Sequence, residues 1–323
     1  MIMDEFSIIE RYFKNIQAPR KDVLLGIGDD CALCDVPEGQ ALAVSMDTFV
    51  ADVHFPADAH PSELCHKVVA ASLSDLAAIG AEPCWLTLGL TLPEISENWL
   101  SAFSSQLQLM AEHYDCTLIG GDITKGPLTI SLQVHGLVPA EYALKRKGAK
   151  AGDLIYVTGF LGDAGFGLDV LQNKVEVPVD VRVYALSRYY CPSPRLAAGI
   201  ALRGLATSCI DISDGLLADL THILKASDVG ARLHIDKLPL SQPLLYSQGD
   251  DQARKYALTS GDDYELCFTV ADDKADKLEK HFATAGCKYH CIGRIVPKPG
   301  IVLLENDKPV DLDLGPLGYK HFS

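Results

Sequence analysis

Leu128-Thr129-Ile130-Ser131-Leu132-Gln133-Val134 decides the fold class. Its apolar side chains fall on every second residue, the period of a strand with one buried and one polar face. A doubly wound parallel sheet, covered by helices on both faces, calls for strands that are apolar throughout. Working outward, residues 41–50 and 84–91 are apolar and β-rich and read as further strands. Pro61 opens a helical pattern through Leu64, Val68, Val69, Leu73 and Leu76, and Gly80 is placed to end it. A second helix fits residues 96–114, with Leu100, Phe103, Leu107 and Met110 on one face, and residues 5–17 have helical spacing too. Beyond them, a strand at Leu154–Thr158 leads through Gly159 and Gly162 into another helix. Helices and strands alternate throughout while several strands are half-buried, so the expected class is α/β of the mixed α+β kind. The basic, small-residue stretch Lys145–Gly152 interrupts the pattern and is the expected boundary, giving domains 1–145 and 146–323.

Composition narrows the function. The 323 residues suit two domains. With 28 Lys+Arg against 43 Asp+Glu, the net charge of −15 argues against nucleic acid or an anionic membrane as main partner. No apolar run is long enough to span a bilayer, and Met1-Ile2-Met3-Asp4-Glu5 places acids where a signal peptide has a basic region. The ten cysteines are scattered, and Cys84, Cys209 and Cys267 sit inside apolar runs, so a reduced, cytoplasmic protein is expected.

The chemistry is carried by aspartates in short clusters flanked by glycine or serine. They are Gly26-Ile27-Gly28-Asp29-Asp30, Ser45-Met46-Asp47-Thr48, Ser74-Asp75, Gly120-Gly121-Asp122, Asp211-Ile212-Ser213-Asp214-Gly215 and Gly261-Asp262-Asp263-Tyr264-Glu265. Gathered carboxylates repel, and burying them uncompensated is costly, so convergence of these loops demands a cation. Mg²⁺ takes carboxylate oxygens, keeps several waters and is completed by phosphate oxygens, which points to chemistry on a nucleoside triphosphate. No P-loop and no protein-kinase motif set is present, so the apparatus is of another kind. Each cluster also has a plainer reading. Gly120-Gly121-Asp122 fits a tight turn after a strand ending at Ile119, Ser213 and Asp214 fit helix N-caps, and the three acids of 262–265 fit a solvated turn.

In this order and spacing the clusters resemble the thiamine-monophosphate kinase family, in the superfamily that includes aminoimidazole ribotide synthetase and selenophosphate synthetase. The resemblance rests on GIGDDCAL at 26–33, SxDTxVxxxHF at 45–55, LSDLAAIGAEP at 73–83, IGGD at 119–122, IDISDGL at 210–216 and GDDYEL at 261–266. It implies two α/β domains, the N-terminal sheet forming a barrel across a homodimer, and ATP held in a cleft by several Mg²⁺ ions. The implied metal ligands are Asp30, Ser45, Asp47, Asp75, Asp122, Asp211 and Asp214. ATP would touch Gly121, Asp122, Arg146, Ser213 and Tyr114, and thiamine monophosphate would face His54, Asp262 and Tyr319. Three positions depart from the family pattern: Met46 for a usual Thr, Lys125 for a usual Arg, and Asp262 for a common Glu.

The implied reaction is the last step of thiamine diphosphate biosynthesis, ATP and thiamine monophosphate giving ADP and thiamine diphosphate. The acceptor is a phosphate with a second pKa of about 6, already mostly ionised at neutral pH, so no general base is needed. Direct in-line transfer without a phosphoenzyme is therefore expected, with positioning and electrostatics carrying the rate. The competing readings are a sister ATP-dependent purine-type synthetase and a non-catalytic regulator that binds nucleotide and Mg²⁺.

Overall fold

The fold is described from a computed structural model, covering residues 4–14, 16, 20–283, 285–286 and 288–315. The chain forms two compact units. One runs to Glu141, and the other begins at Tyr142 and also takes in Ala77–Gly80.

The first unit opens with a short helix α1 (Glu5–Ile8), continued by a π-helical turn over Ile9–Phe13. A small ladder follows, pairing β1 (Val23–Leu25) with β2 (Leu33–Cys34). Its main sheet comprises β3 (Gln40–Val50), β4 (Glu82–Leu92), β5 (Thr117–Lys125) and β6 (Thr129–Pro139), in the order β3-β6-β4-β5. β6 is antiparallel to both neighbours, whereas β4 and β5 are parallel. On β6, Ile130, Leu132 and Val134 are fully buried and Ser131 and Gln133 are not, as the period of two requires. β4 does the same with Leu86, Leu88, Leu90 and Leu92. Helix α2 (Pro61–Ile79) is buried nearly all round, and α3 (Glu97–His113) buries the face carrying Leu100, Phe103, Leu107 and Met110. Gly80 ends α2 with φ +72°, a left-handed stop that glycine adopts at little cost.

One expectation fails in this unit. Gly120, Gly121 and Asp122 do not form a turn, because β5 continues through them to Lys125. A register shift opposite Leu86 and Thr87 lets the strand pass the glycine pair without ending.

The second unit is built on a seven-stranded mixed sheet. Its strands are β7 (Leu154–Thr158), β8 (Ala206–Asp211), β9 (Gly230–His234), β10 (Leu266–Val270), β11 (Tyr289–Val296), β12 (Gly300–Glu305) and β13 (Lys308–Pro309). They lie in the order β13-β12-β9-β11-β7-β10-β8. Only β12 and β9 are parallel; every other pairing is antiparallel. The helices are α4 (Asp163–Leu171), α5 (Val179–Tyr190), α6 (Leu196–Ala201), α7 (Leu216–Ser227), α8 (Gln242–Thr259) and α9 (Leu278–Phe282). Ile155, Val157, Ile210, Leu220, Ile223 and Cys267 anchor one continuous core.

The sequence holds one Cys-x-x-Cys spacing, Cys31-Ala32-Leu33-Cys34. Both thiols are free, as are the other cysteines among the described residues.

Candidate active site

Each unit gathers part of the predicted set. In the first, the loop Gly28-Asp29-Asp30 and the strand segment Gly120-Gly121-Asp122 line a single cavity of about 600 Å³. Ile9, Phe13 and Leu118 give that cavity an apolar side. An apolar wall suits a heteroaromatic base, and an acidic, glycine-rich wall suits metal-bound phosphate. Asp30 and Asp122 are exposed here, and the Asp30 N–H is tied to Asp29 Oδ1 at 2.8 Å.

A second acidic group forms where β3 meets α2. Ser45 and Asp47, two residues apart on β3, share a face, and the Ser45 hydroxyl donates to Asp75 Oδ2. Burial and the neighbouring Asp75 charge push the Asp47 carboxyl up to about 6. Two carboxylates and a hydroxyl at close quarters form a hard-oxygen set that fits Mg²⁺. Among the described residues no three His, Cys, Asp or Glu side chains are gathered tightly enough to hold an ion unaided. Water and substrate phosphate oxygens would therefore complete any metal sphere, as Mg²⁺ prefers. Met46 lies on the opposite face of β3, 58% exposed, so its side chain is turned away from this set.

His54 sits just beyond β3. Its Nδ1 accepts the Val50 N–H at 3.0 Å, which leaves Nε2 as the protonated nitrogen. Phe49 packs edge-on against the ring at 6.0 Å. Tyr114 caps the C-terminal end of α3, edge-on to His113 at 4.6 Å, and does not line the cavity.

In the second unit, Asp211 ends β8 and is 4% exposed. The loop after it does not use its own side chains as helix caps, contrary to the plainer sequence reading. Helix α7 has Gly215 as its N-cap, with no side-chain cap bond. The backbone N–H groups of Ser213, Asp214 and Gly215 instead converge on Asp219 Oδ2, each at 3.0 Å. The Ser213 and Asp214 side chains are thus released from capping. Nothing in the sequence singles out Asp219, since one acid in the first turn of a helix is commonplace. Burial raises its carboxyl to about 7 against the lowering effect of those three donors. Asp219→Ala leaves three amides without their acceptor. It is expected to cost about 2 kcal/mol of stability and to lower kcat/KM for ATP at least about tenfold, measured by thermal unfolding and steady-state kinetics.

The loop 261–265 lies against this one. Asp262 N–H donates to the Ser213 carbonyl at 2.9 Å and Tyr264 N–H to the Ile212 carbonyl at 2.9 Å. A Cβ on Gly261 would stand 2.2 Å from the Ser213 carbonyl oxygen, so only glycine permits the approach. The solvated-turn reading is overturned by burial: Asp263 is 2% exposed and Glu265 fully buried. Asp263 accepts from Gly162 N–H at 2.6 Å and Ala164 N–H at 3.2 Å, at the start of α4. Its carboxyl is pushed up to about 8, mainly by that burial. Glu265 accepts from Arg195 Nε at 2.6 Å and Thr158 Oγ1 at 2.7 Å. Arg146 is exposed in the basic segment that opens this unit, Lys125 is exposed at the end of β5, and Tyr319 lies outside the described residues.

Residues 28–138 match the family described as AIR synthase related protein, N-terminal domain, and residues 150–305 match its C-terminal domain. Thiamine-monophosphate kinase of Escherichia coli strain K12 is 49% identical over 326 residues, covering 100% of this chain and 99% of that protein. The chain belongs to the thiamine-monophosphate kinase family. The crystal structure of thiamine-monophosphate kinase from Stenotrophomonas maltophilia has 41% identity and a TM-score of 0.84, covering 90% of this chain and 93% of that one. A second solved structure, AaThiL complexed with AMPPCP and TMP, has 30% identity and a TM-score of 0.77, covering 92% of each chain. Measured against the thiamine-monophosphate kinases, this chain keeps a full-length match while its acidic motifs fall in three geometrically defined groups, two in the first unit and one in the second. No helix among its described residues is long and apolar enough to cross a membrane.

Proposed function

We propose that this chain transfers the γ-phosphoryl group of ATP to the phosphate of thiamine monophosphate, releasing ADP and thiamine diphosphate. The observation that carries the reading is the end-to-end identity with thiamine-monophosphate kinases, in a chain whose Gly28–Asp30 and Gly120–Asp122 segments line one cavity. Asp30, Ser45, Asp47, Asp75 and Asp122 on the first unit, with Asp211 and Asp214 on the second, would hold Mg²⁺. When bound, the ions supply charge neutralisation between two polyanions and orient both phosphates.

The chain's own residues do the rest. Gly121 and Asp122 border the nucleotide phosphates, joined by Ser213, Arg146 and Tyr114. His54, with Nε2–H as donor, Asp262 and Tyr319 hold thiamine monophosphate. No residue is asked to take a proton from the acceptor, which is ionised already. The same reading makes the protein a cytoplasmic homodimer. In its support, Leu42, Val44 and Met46 form an apolar stripe on one face of the edge strand β3, 43%, 53% and 58% exposed. Sedimentation equilibrium giving the mass of a single 34.9 kDa chain would count against the dimer.

The test of function is ADP release from Mg-ATP with thiamine monophosphate, against thiamine and an aminoimidazole precursor as controls. Turnover that depends on thiamine monophosphate and yields thiamine diphosphate supports the kinase. ATP binding without turnover would transfer the weight to a regulator, and turnover only with the precursor to a purine-type synthetase.

A further inference from the structure

We infer that Tyr264 is a positioning residue, whose hydroxyl aims the Asp262 carboxylate at the cationic, nitrogen-rich end of thiamine monophosphate. The inference rests on the reading that Asp262 faces that substrate. Tyr264 Oη donates to Asp262 Oδ1 at 2.9 Å. The two residues are held in left-handed backbone, with φ +68° at Asp262 and +51° at Tyr264. That conformation is uncommon for Asp and a genuine outlier for a bulky aromatic residue. Two such residues in three positions persist only where their surroundings over-determine them.

The surroundings do so by alternation. Asp263 and Glu265 point into the core, the first held by the Gly162 and Ala164 amides, the second by Arg195 and Thr158. The backbone N–H groups of Asp262 and Tyr264 are pinned to the Ser213 and Ile212 carbonyls. With its neighbours anchored and its own backbone pinned, Asp262 has little freedom left except in its side chain. The Tyr264 hydroxyl helps to remove that freedom. Burial raises the Tyr189 hydroxyl, and the Asp262 charge adds to it, so a second phenol lies within its field.

A plainer account holds that Tyr264, 7% exposed, is a core tyrosine whose hydroxyl takes the nearest acceptor. It does not explain the backbone. A core tyrosine gains nothing from a left-handed conformation at its own position and at its partner's. A carboxylate fixed by a phenol O–H is held in one orientation, which suits a cation or an N–H donor rather than a phosphate. The geometry therefore assigns Asp262 to the heteroaromatic end of the substrate.

The test is steady-state kinetics of Tyr264→Phe, Asp262→Ala and the double variant, each with a thermal midpoint. Tyr264→Phe is expected to raise KM for thiamine monophosphate about tenfold, with kcat and KM for ATP within about twofold of the parent. Because Tyr264 acts through Asp262, the double variant should be no worse than Asp262→Ala alone. An unchanged KM in Tyr264→Phe, while Asp262→Ala raises it, would overturn the positioning role and leave the Asp262 reading standing. Additive effects would overturn it likewise, as would a lowered midpoint with an unmoved KM. If Asp262→Ala leaves KM unchanged, the assignment of Asp262 fails, and the role of Tyr264 falls with it.

Discussion

Asp75→Ala is expected to lower kcat by about a thousandfold or more while leaving the fold intact. Asp75 lies in α2, among residues that are otherwise buried, and is itself only half-buried. A carboxylate there gives the helix nothing, since Asp is a poor helix-interior residue. It also harms its neighbour, because its charge adds to burial in raising the Asp47 carboxyl to about 6. Removing Asp75 relieves that repulsion. It also takes the acceptor from the Ser45 hydroxyl, so without Mg²⁺ the thermal midpoint of the variant should stay close to that of the parent. Adding Mg²⁺ should raise the parent's midpoint and leave the variant's nearly unmoved, because a ligand that binds only the folded state stabilises it. Loss of turnover together with loss of the Mg²⁺ response would place Asp75 at the metal. Near-normal kcat would remove it from the metal set. Asp30→Ala should act in the same direction on turnover. Asp30 is exposed at the cavity wall, so its loss should not change the midpoint without metal.

The regular elements were legible because their patterns are local. The alternation of Ile130, Leu132 and Val134 fixed β6, and Pro61 and Gly80 bound α2 at both ends. What resisted reading was everything set by contact between distant segments. Gly120 and Gly121 looked like a turn because paired glycines usually are one; only the close passage of β4 shows why they sit within a strand. Asp263 and Glu265 looked solvated because consecutive acids usually are. Their burial depends on the amides of Gly162 and Ala164 and on Arg195, which lie from 70 to 101 residues away along the chain. The role of Asp219 was hidden differently: its partners are close in sequence, but nothing in the sequence says that three amides share one oxygen. The motif residues themselves were legible through family resemblance. The resemblance also implied that Asp30 and Asp122 share one nucleotide site; what it did not give is the apolar side that Ile9, Phe13 and Leu118 add to their cavity.

Gly121→Ala should be far more damaging than Gly28→Ala, although both glycines line the same cavity. Each has a positive φ, +156° at Gly121 and +123° at Gly28, so alanine is strained at either position. The difference lies in space. A Cβ on Gly28 meets nothing within 4 Å, whereas one on Gly121 would lie 2.0 Å from the Leu88 carbonyl oxygen and 2.8 Å from its carbon. Those atoms are backbone in β4, the strand to which β5 is paired, and cannot rotate aside. Relief requires β5 to move off β4, carrying Asp122 with it. Gly28→Ala is expected to cost about 1–2 kcal/mol from backbone strain and to retain ATP binding. Gly121→Ala adds overpacking to strain and should cost about 3 kcal/mol or more, with ATP affinity lost along with the position of Asp122. Urea unfolding of both variants, paired with nucleotide binding by calorimetry, separates the two effects. Equal stability of the variants would show that β4 and β5 yield more easily than this packing allows. A destabilised Gly121→Ala that still binds ATP at parental affinity would remove this part of β5 from the nucleotide site.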